Sequence, residues 1–156
     1  MGGFKTRPLS RAESQPKGLM SQTSEMMKPK TGEVSWNELV TKDTKGAANF
    51  YGKLFGWQSA PFTPQGMPSG APPYTLFKTD PNSMGVGGMM QVPDPKMPSQ
   101  WIPYVAVDDI DASLANATKL GAKTCVPVMS VGEIGRIAII QDPQGATIGL
   151  HECPKE

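Results

Sequence analysis

At 156 residues, 38% hydrophobic and 19% charged, the chain has room for one ordinary domain with a modest core. Its apolar runs fall well short of the roughly 20 residues that a membrane-spanning helix needs. Net charge is +1 but unevenly spread: residues 1–31 hold six basic side chains against Glu13 and Glu25, and the remainder holds nine against twelve. The larger part is therefore mildly acidic, so neither nucleic acid nor a membrane is expected as a partner.

Residues 1–31 are rich in Ser, Lys, Pro and Gly, show no hydrophobic periodicity and lack the apolar stretch of a secretory signal, so a disordered basic leader is expected there. A single domain is expected over 32–156. From Glu33 to Thr41 the chain alternates as a strand, placing Val34, Trp36, Glu38 and Val40 on one face. Asp43 or Thr44 then caps a helix to about Phe55, with Ala47, Ala48, Tyr51, Leu54 and Phe55 at helical spacing. Gly56 ends it and Trp57 opens a short strand. Residues 61–73 contain five prolines and two glycines, which predicts a long surface loop. Strands follow at 74–78 and 84–91, then a Pro-rich linker. The second half reads as a strand at 101–107, a helix at 111–120 and strands near 124–128, 134–140 and 147–152.

The chain repeats itself. YTLFKTDPNSMGVG at 74–87 returns as RIAIIQDPQGATIG at 136–149, with Asp80-Pro81 matched by Asp142-Pro143. Ahead of these, VTKDTKGAANFYGKLFGWQ from Val40 is echoed by VAVDDIDASLANATKLGAK from Val105, each a strand end, an acidic cap, a helix, then Gly and a strand. Two copies of one βαβββ unit, 33–91 and 101–152, imply a pseudo-symmetric α+β fold. Asp43, Asp109 and Asp111 read as helix caps, and Asp80 and Asp142 as turn residues.

This ordered series, seen twice in register, resembles the vicinal oxygen chelate superfamily of glyoxalases, bleomycin-resistance proteins and extradiol dioxygenases. The resemblance implies an open cup of mixed sheet with the helices outside and the ligand within, and it admits a homodimer. Metal-dependent members share four ligand positions, on the first and last strand of each unit, filled by His, Glu or Gln. Seven residues before each helix-start acid stand Trp36 and Ile102, and seven beyond each Asp-Pro aspartate stand Gly87 and Gly149. None has a donor atom for a divalent cation. No cofactor is expected on this count; the alternative is one divalent ion at an atypical site built from Glu38, His151 and Glu133 or Glu152.

The cup face is expected to carry Trp36, Glu38, Tyr104, Met89 and His151 as ligand-binding residues, with Gly87 and Gly149 leaving space for a ligand. Glu38 is the candidate catalytic group, because an inward-facing carboxylate needs a partner; a purely structural hydrogen bond to Tyr104 is the competing explanation. His151 competes with a plain strand-end role, and Trp36 and Tyr104 with a core role. The loop 61–73 is a candidate lid over the first half-cup. No phosphate-cradling loop precedes a helix, and no activated serine accompanies the lone histidine. The expected function is binding of a small organic molecule in the cup, and the two cysteines, Cys125 and Cys153, are expected as reduced thiols of a cytoplasmic protein. The alternative is a metal-dependent lyase, isomerase or dioxygenase; if the chain is an enzyme, lyase or dioxygenase is the expected class.

Overall fold

A computed structural model describes residues 28–155. The elements run β1 (Val34–Thr41), α1 (Thr44–Phe55), β2 (Gln58–Phe62), β3 (Tyr74–Lys78), β4 (Gly87–Gln91), β5 (Gln100–Ala106), α2 (Ile110–Lys119), β6 (Lys123–Ser130), a 3-10 turn (Gly132–Ile134), β7 (Arg136–Gln141) and β8 (Thr147–Glu152). Each half is βαβββ. The expected leader falls largely on residues 1–27, outside those described. Its last residues are held, the Lys30 amide donating to Glu33 and Thr31 bonding Asp108, and just after them the Gly32 amide donates to the Ala106 carbonyl at 2.9 Å.

The eight strands form one open sheet in the order β2-β3-β4-β1-β5-β8-β7-β6. The seam between the halves is the antiparallel β1–β5 pair, with Trp36 opposite Tyr104 and Glu38 opposite Ile102. On either side of it the first and last strands of each unit run parallel, β1 with β4 and β5 with β8. That leaves β2 and β6 at opposite free edges. Pro61 lies within β2, not in the loop: an edge strand tolerates a residue that cannot donate to a ladder. In β4 the strand begins at Gly87 because residues 82–86 form the turn, with Gly85 at φ 108°.

Both helices start as their sequences dictate. The Asp43 carboxylate accepts the Gly46 amide at 2.9 Å and Asp109 accepts that of Ala112 at 2.9 Å, each satisfying an otherwise orphaned donor. Gly56, in the left-handed region, closes α1. Asp111 does not cap; it pairs with Arg136 at 2.7 Å.

Three apolar clusters divide the sheet between its faces. Leu39, Phe77 and Met89 pack under Ala47, Ala48 and Tyr51 of α1; Ala138, Ile140 and Leu150 pack with Ile110, Leu114 and Ala117 of α2. The third cluster involves neither helix: Val40, Val92, Ile102 and Tyr104, with Trp36, Met90, Met97, Ile137 and Ile139 against them. Strand alternation puts these on the opposite, concave face, which is the cup.

Candidate functional site

The polar groups of the cup converge on one carboxylate. Glu38, from the middle of β1, is 7% exposed, and its Oε2 accepts the Tyr104 hydroxyl at 2.8 Å. Tyr74, the first residue of β3, bonds the same carboxylate, while its oxygen accepts the Trp36 indole N–H at 2.9 Å. Indole, phenol and carboxylate thus form a directed chain, Trp36 to Tyr74 to Glu38, closed from the other unit by Tyr104. Burial pushes the Glu38 carboxyl above its ordinary 4.5, and the two tyrosine hydroxyls pull it partly back. Burial and the neighbouring Glu38 charge push both phenols up, so they remain donors.

Two glycines make this possible. In the parallel ladders Gly88 stands beside Glu38 and Gly149 beside Tyr104. A Cβ on Gly88 would run into the Tyr74 hydroxyl and ring, and one on Gly149 would lie 2.6 Å from Cγ of Tyr104. The space expected for a ligand is therefore taken by two tyrosine rings, and the last-strand cup glycine of the first unit is Gly88 instead of Gly87. A Cβ on Gly87 would meet the Asn37 carbonyl oxygen at 2.8 Å and Trp101, on the helix side.

Of the expected ligand-binding residues, Trp36, Glu38 and Tyr104 are brought together, although Tyr104 reaches Glu38 diagonally and not from directly across the seam. Met89 is placed elsewhere. It is 2% exposed and packs with Leu39 and Phe77 under α1, because the one-residue difference between Gly87 and Gly88 turns β4 over. His151 is on the cup side, opposite Ile137, and half-buried instead of facing solvent. Its Nε2–H donates to the Ile134 carbonyl at 2.8 Å, and its Nδ1 lies 3.0 Å from Ser35 Oγ, which in turn donates to the Tyr104 carbonyl at 3.2 Å. A bulge between Val34 and Trp36 frees Ser35 for this role. Tyr74 was missed. Its signal was Gly88: a glycine inside a buried strand face implies a bulky neighbour over it.

The atypical metal set does not assemble. Glu152 is buried toward α2, where the Ile110 amide and the Arg136 guanidinium, each at 2.8 Å, hold its carboxyl below the usual range. Glu133 accepts the Gln65 amide at 3.2 Å. Among the described residues no three His, Cys, Asp or Glu side chains converge as metal ligands, so the donor set does not fit a divalent ion. Two surface cavities, of about 370 and 360 Å³, include none of the Glu38 cluster; one adjoins Thr31 and Cys153, the other Phe50 and Trp101. The Glu38 carboxylate, with two phenols directed at it and no cation beside it, marks the chemistry better than either opening; Glu152, at the wall of the first, is tied up by the Ile110 amide and the Arg136 guanidinium.

Residues 33–150 match the profile of the Glyoxalase/Bleomycin resistance protein/Dioxygenase superfamily. A putative glyoxylase, CFP32 of Mycobacterium tuberculosis, is 32% identical over 123 residues, covering 78% of this chain and 46% of the relative. The anthracycline biosynthesis protein DnrV of Streptomyces peucetius is 29% identical over 131 residues, again 46% of its length, so the chain spans about half of these curated relatives. Among solved structures, methylmalonyl-CoA epimerase from Mycobacterium tuberculosis superposes with a TM-score of 0.54 at 17% identity, over 81% of this chain and 93% of that one. A further methylmalonyl-CoA epimerase, in complex with methylmalonyl-CoA and NH4+, gives 0.53 at 15%, over 80% and 96%.

These neighbours correct two expectations. Lyase or dioxygenase was the expected enzyme class, whereas the two solved structures just described, which share the fold, are epimerases, hence isomerases. The expectation of no cofactor falls as well, since one of them holds its acyl-CoA together with a cation. No helix of the described residues is long and apolar enough to cross a membrane.

Proposed function

From the premise that the chain belongs to the glyoxalase/bleomycin resistance protein/dioxygenase superfamily, we propose that its cup binds a small organic molecule with an acidic C–H beside a carbonyl or thioester, and that Glu38 moves that proton in an isomerase-type reaction. The observation that carries this reading is the Glu38 carboxylate of the cup, buried, with its proton affinity raised and two phenols aimed at it. A carboxylate whose proton affinity is raised by burial is a better proton acceptor than an exposed one. The Tyr104 and Tyr74 hydroxyls orient it and steady its charge before transfer, and the Trp36 indole fixes Tyr74. No step is assigned to a metal ion, because the donors do not fit one. The epimerases that share the fold support the reaction class, and the acyl thioester is its first substrate to try. We place the protein in the cytoplasm, a reading supported by its two free cysteines, Cys125 and Cys153.

The test is exchange of the α-hydrogen of methylmalonyl-CoA in D2O, followed by mass spectrometry, with and without added Mn2+ or Co2+. Exchange that disappears in Glu38→Gln is the expected result. Its absence from the wild type under all these conditions refutes proton transfer. A second reading would then stand, binding without turnover, which the aromatic and methionine lining of the cup favours.

A further inference from the structure

Although Glu38 and Tyr104 line the cup, they are only 7% and 3% exposed, so a ligand reaches them only if something moves. The segment 63–73 leaves the end of β2 at one free edge of the sheet. At Gln65 it meets the turn that follows β6, from the opposite free edge. The Glu133 amide donates to the Gln65 carbonyl at 2.8 Å, and the Gln65 amide donates to Glu133 Oε1 at 3.2 Å. Gly132 lets the strands of chain come this close: its φ is +65°, and a Cβ there would run into the Gln65 carbonyl. The contact is on the cup side, since Ile134 of the same turn accepts the His151 ring N–H.

We propose that segment 63–73 is the gate of the cup and that Gly132 and Glu133 are its latch; the assignment of the cup as the ligand site is the reading on which this rests. Pro64, Pro68, Pro72 and Pro73 stiffen the segment, and it is folded into two turns, Met67 amide to Pro64 carbonyl and Ala71 amide to Pro68 carbonyl. It therefore swings as a unit, with Gly66 and Gly70, both at positive φ, as its pliant points. Two exposed hydrogen bonds are a light catch, of the kind released in local opening without global unfolding. The segment rejoins the sheet at Tyr74, whose hydroxyl serves Trp36 and Glu38. Opening the gate thus loosens one of the two phenols on the carboxylate, so the state of the latch is felt at the reacting group.

The test measures access to Glu38 directly, on the full chain, by carbodiimide coupling of glycine ethyl ester with site-resolved mass spectrometry, alongside hydrogen exchange of the Glu133 amide. Gly132→Ala should speed both about tenfold or more while Glu152, under the second helix, labels as in the wild type. Conversely, Gln65→Cys with Glu133→Cys, in a Cys125→Ser, Cys153→Ser background, should label at Glu38 about tenfold more slowly when oxidised than when reduced. If Gly132→Ala does not fold, the cysteine pair decides alone. Glu38 labelling that ignores the latch in the variants that fold overturns the gate. Because labelling needs no turnover, a gate that responds in a protein without α-hydrogen exchange leaves the gate standing and removes only the proton-transfer reading.

Discussion

Adding one methyl group at Gly149 should collapse the site from behind. The backbone there is ordinary strand, so alanine itself brings no dihedral strain, and in isolation Gly→Ala in a strand gains about 0.5–1 kcal/mol. The new Cβ, however, would sit 2.6 Å from Cγ of Tyr104, where ordinary contact begins near 3.4 Å. The ring must retreat by about 1 Å, and overpacking of that kind costs about 1–3 kcal/mol. Retreat also draws the hydroxyl off Glu38, and losing a hydrogen bond to a buried charged group adds about 1.5–3 kcal/mol. The net expectation is a loss of about 2–5 kcal/mol once the strand gain is subtracted. Urea unfolding monitored by tryptophan fluorescence reads it as a lower midpoint at unchanged slope. Repeating Gly149→Ala in a Tyr104→Ala background should abolish the penalty, a coupling that a double-mutant cycle isolates. A loss within about 0.5 kcal/mol of wild type in the Tyr104-containing protein, or an equal loss in both backgrounds, refutes the account of why glycine stands there.

The buried carboxyl of Glu38 makes a pH-dependent contribution. Its folded value lies above 4.5, so the native state holds the proton longer, and stability is greatest below 4.5 and falls as pH rises through the folded value. Glu38→Gln, which cannot ionise, should match wild type in acid and grow more stable than wild type as pH rises, in urea titrations taken across that window. Tyr74→Phe removes a donor from Glu38 and the acceptor of the Trp36 indole, so a loss of about 1–3 kcal/mol with altered Trp36 emission is expected in the same unfolding experiment. In that variant the Glu38 carboxyl should rise further, extending the pH window upward; an unchanged titration of Glu38 by carboxyl NMR would count against the second phenol. His151→Phe should loosen Ser35 and the backbone at Tyr104, seen as faster amide exchange in β5; unchanged exchange there would count against the bridge through Ser35.

The fold was readable because its signals are local and several of them occur twice. The aspartates at 43 and 109, the glycine after α1, the Asp-Pro turns and the alternation of β1 each declare themselves within a few residues. Register was less legible. A turn at 82–86 shifted β4 by a single residue, and because strand faces alternate, that one step carried Met89 from the cup to the underside of α1 and exchanged Gly87 for Gly88. The carboxylate and its Tyr104 partner were foreseen, since both lie on long, regular strands meeting at the seam. Tyr74 was not, because its contact with Glu38 spans three strands and depends on the empty volume above Gly88, which is a property of packing and not of spacing.

The pair at the centre of the cup has a consequence for how such a site can be built at all. Glu38 and Tyr104 stand at corresponding places in the two units, each five residues before its helix cap. Were the units identical, the two places would hold the same residue. Two glutamates there would have to share a proton or repel, and two tyrosines would each offer a hydroxyl with no carboxylate to receive it. A symmetric pairing of identical half-chains therefore cannot make this donor and acceptor. A chain whose halves are joined and free to differ can make it.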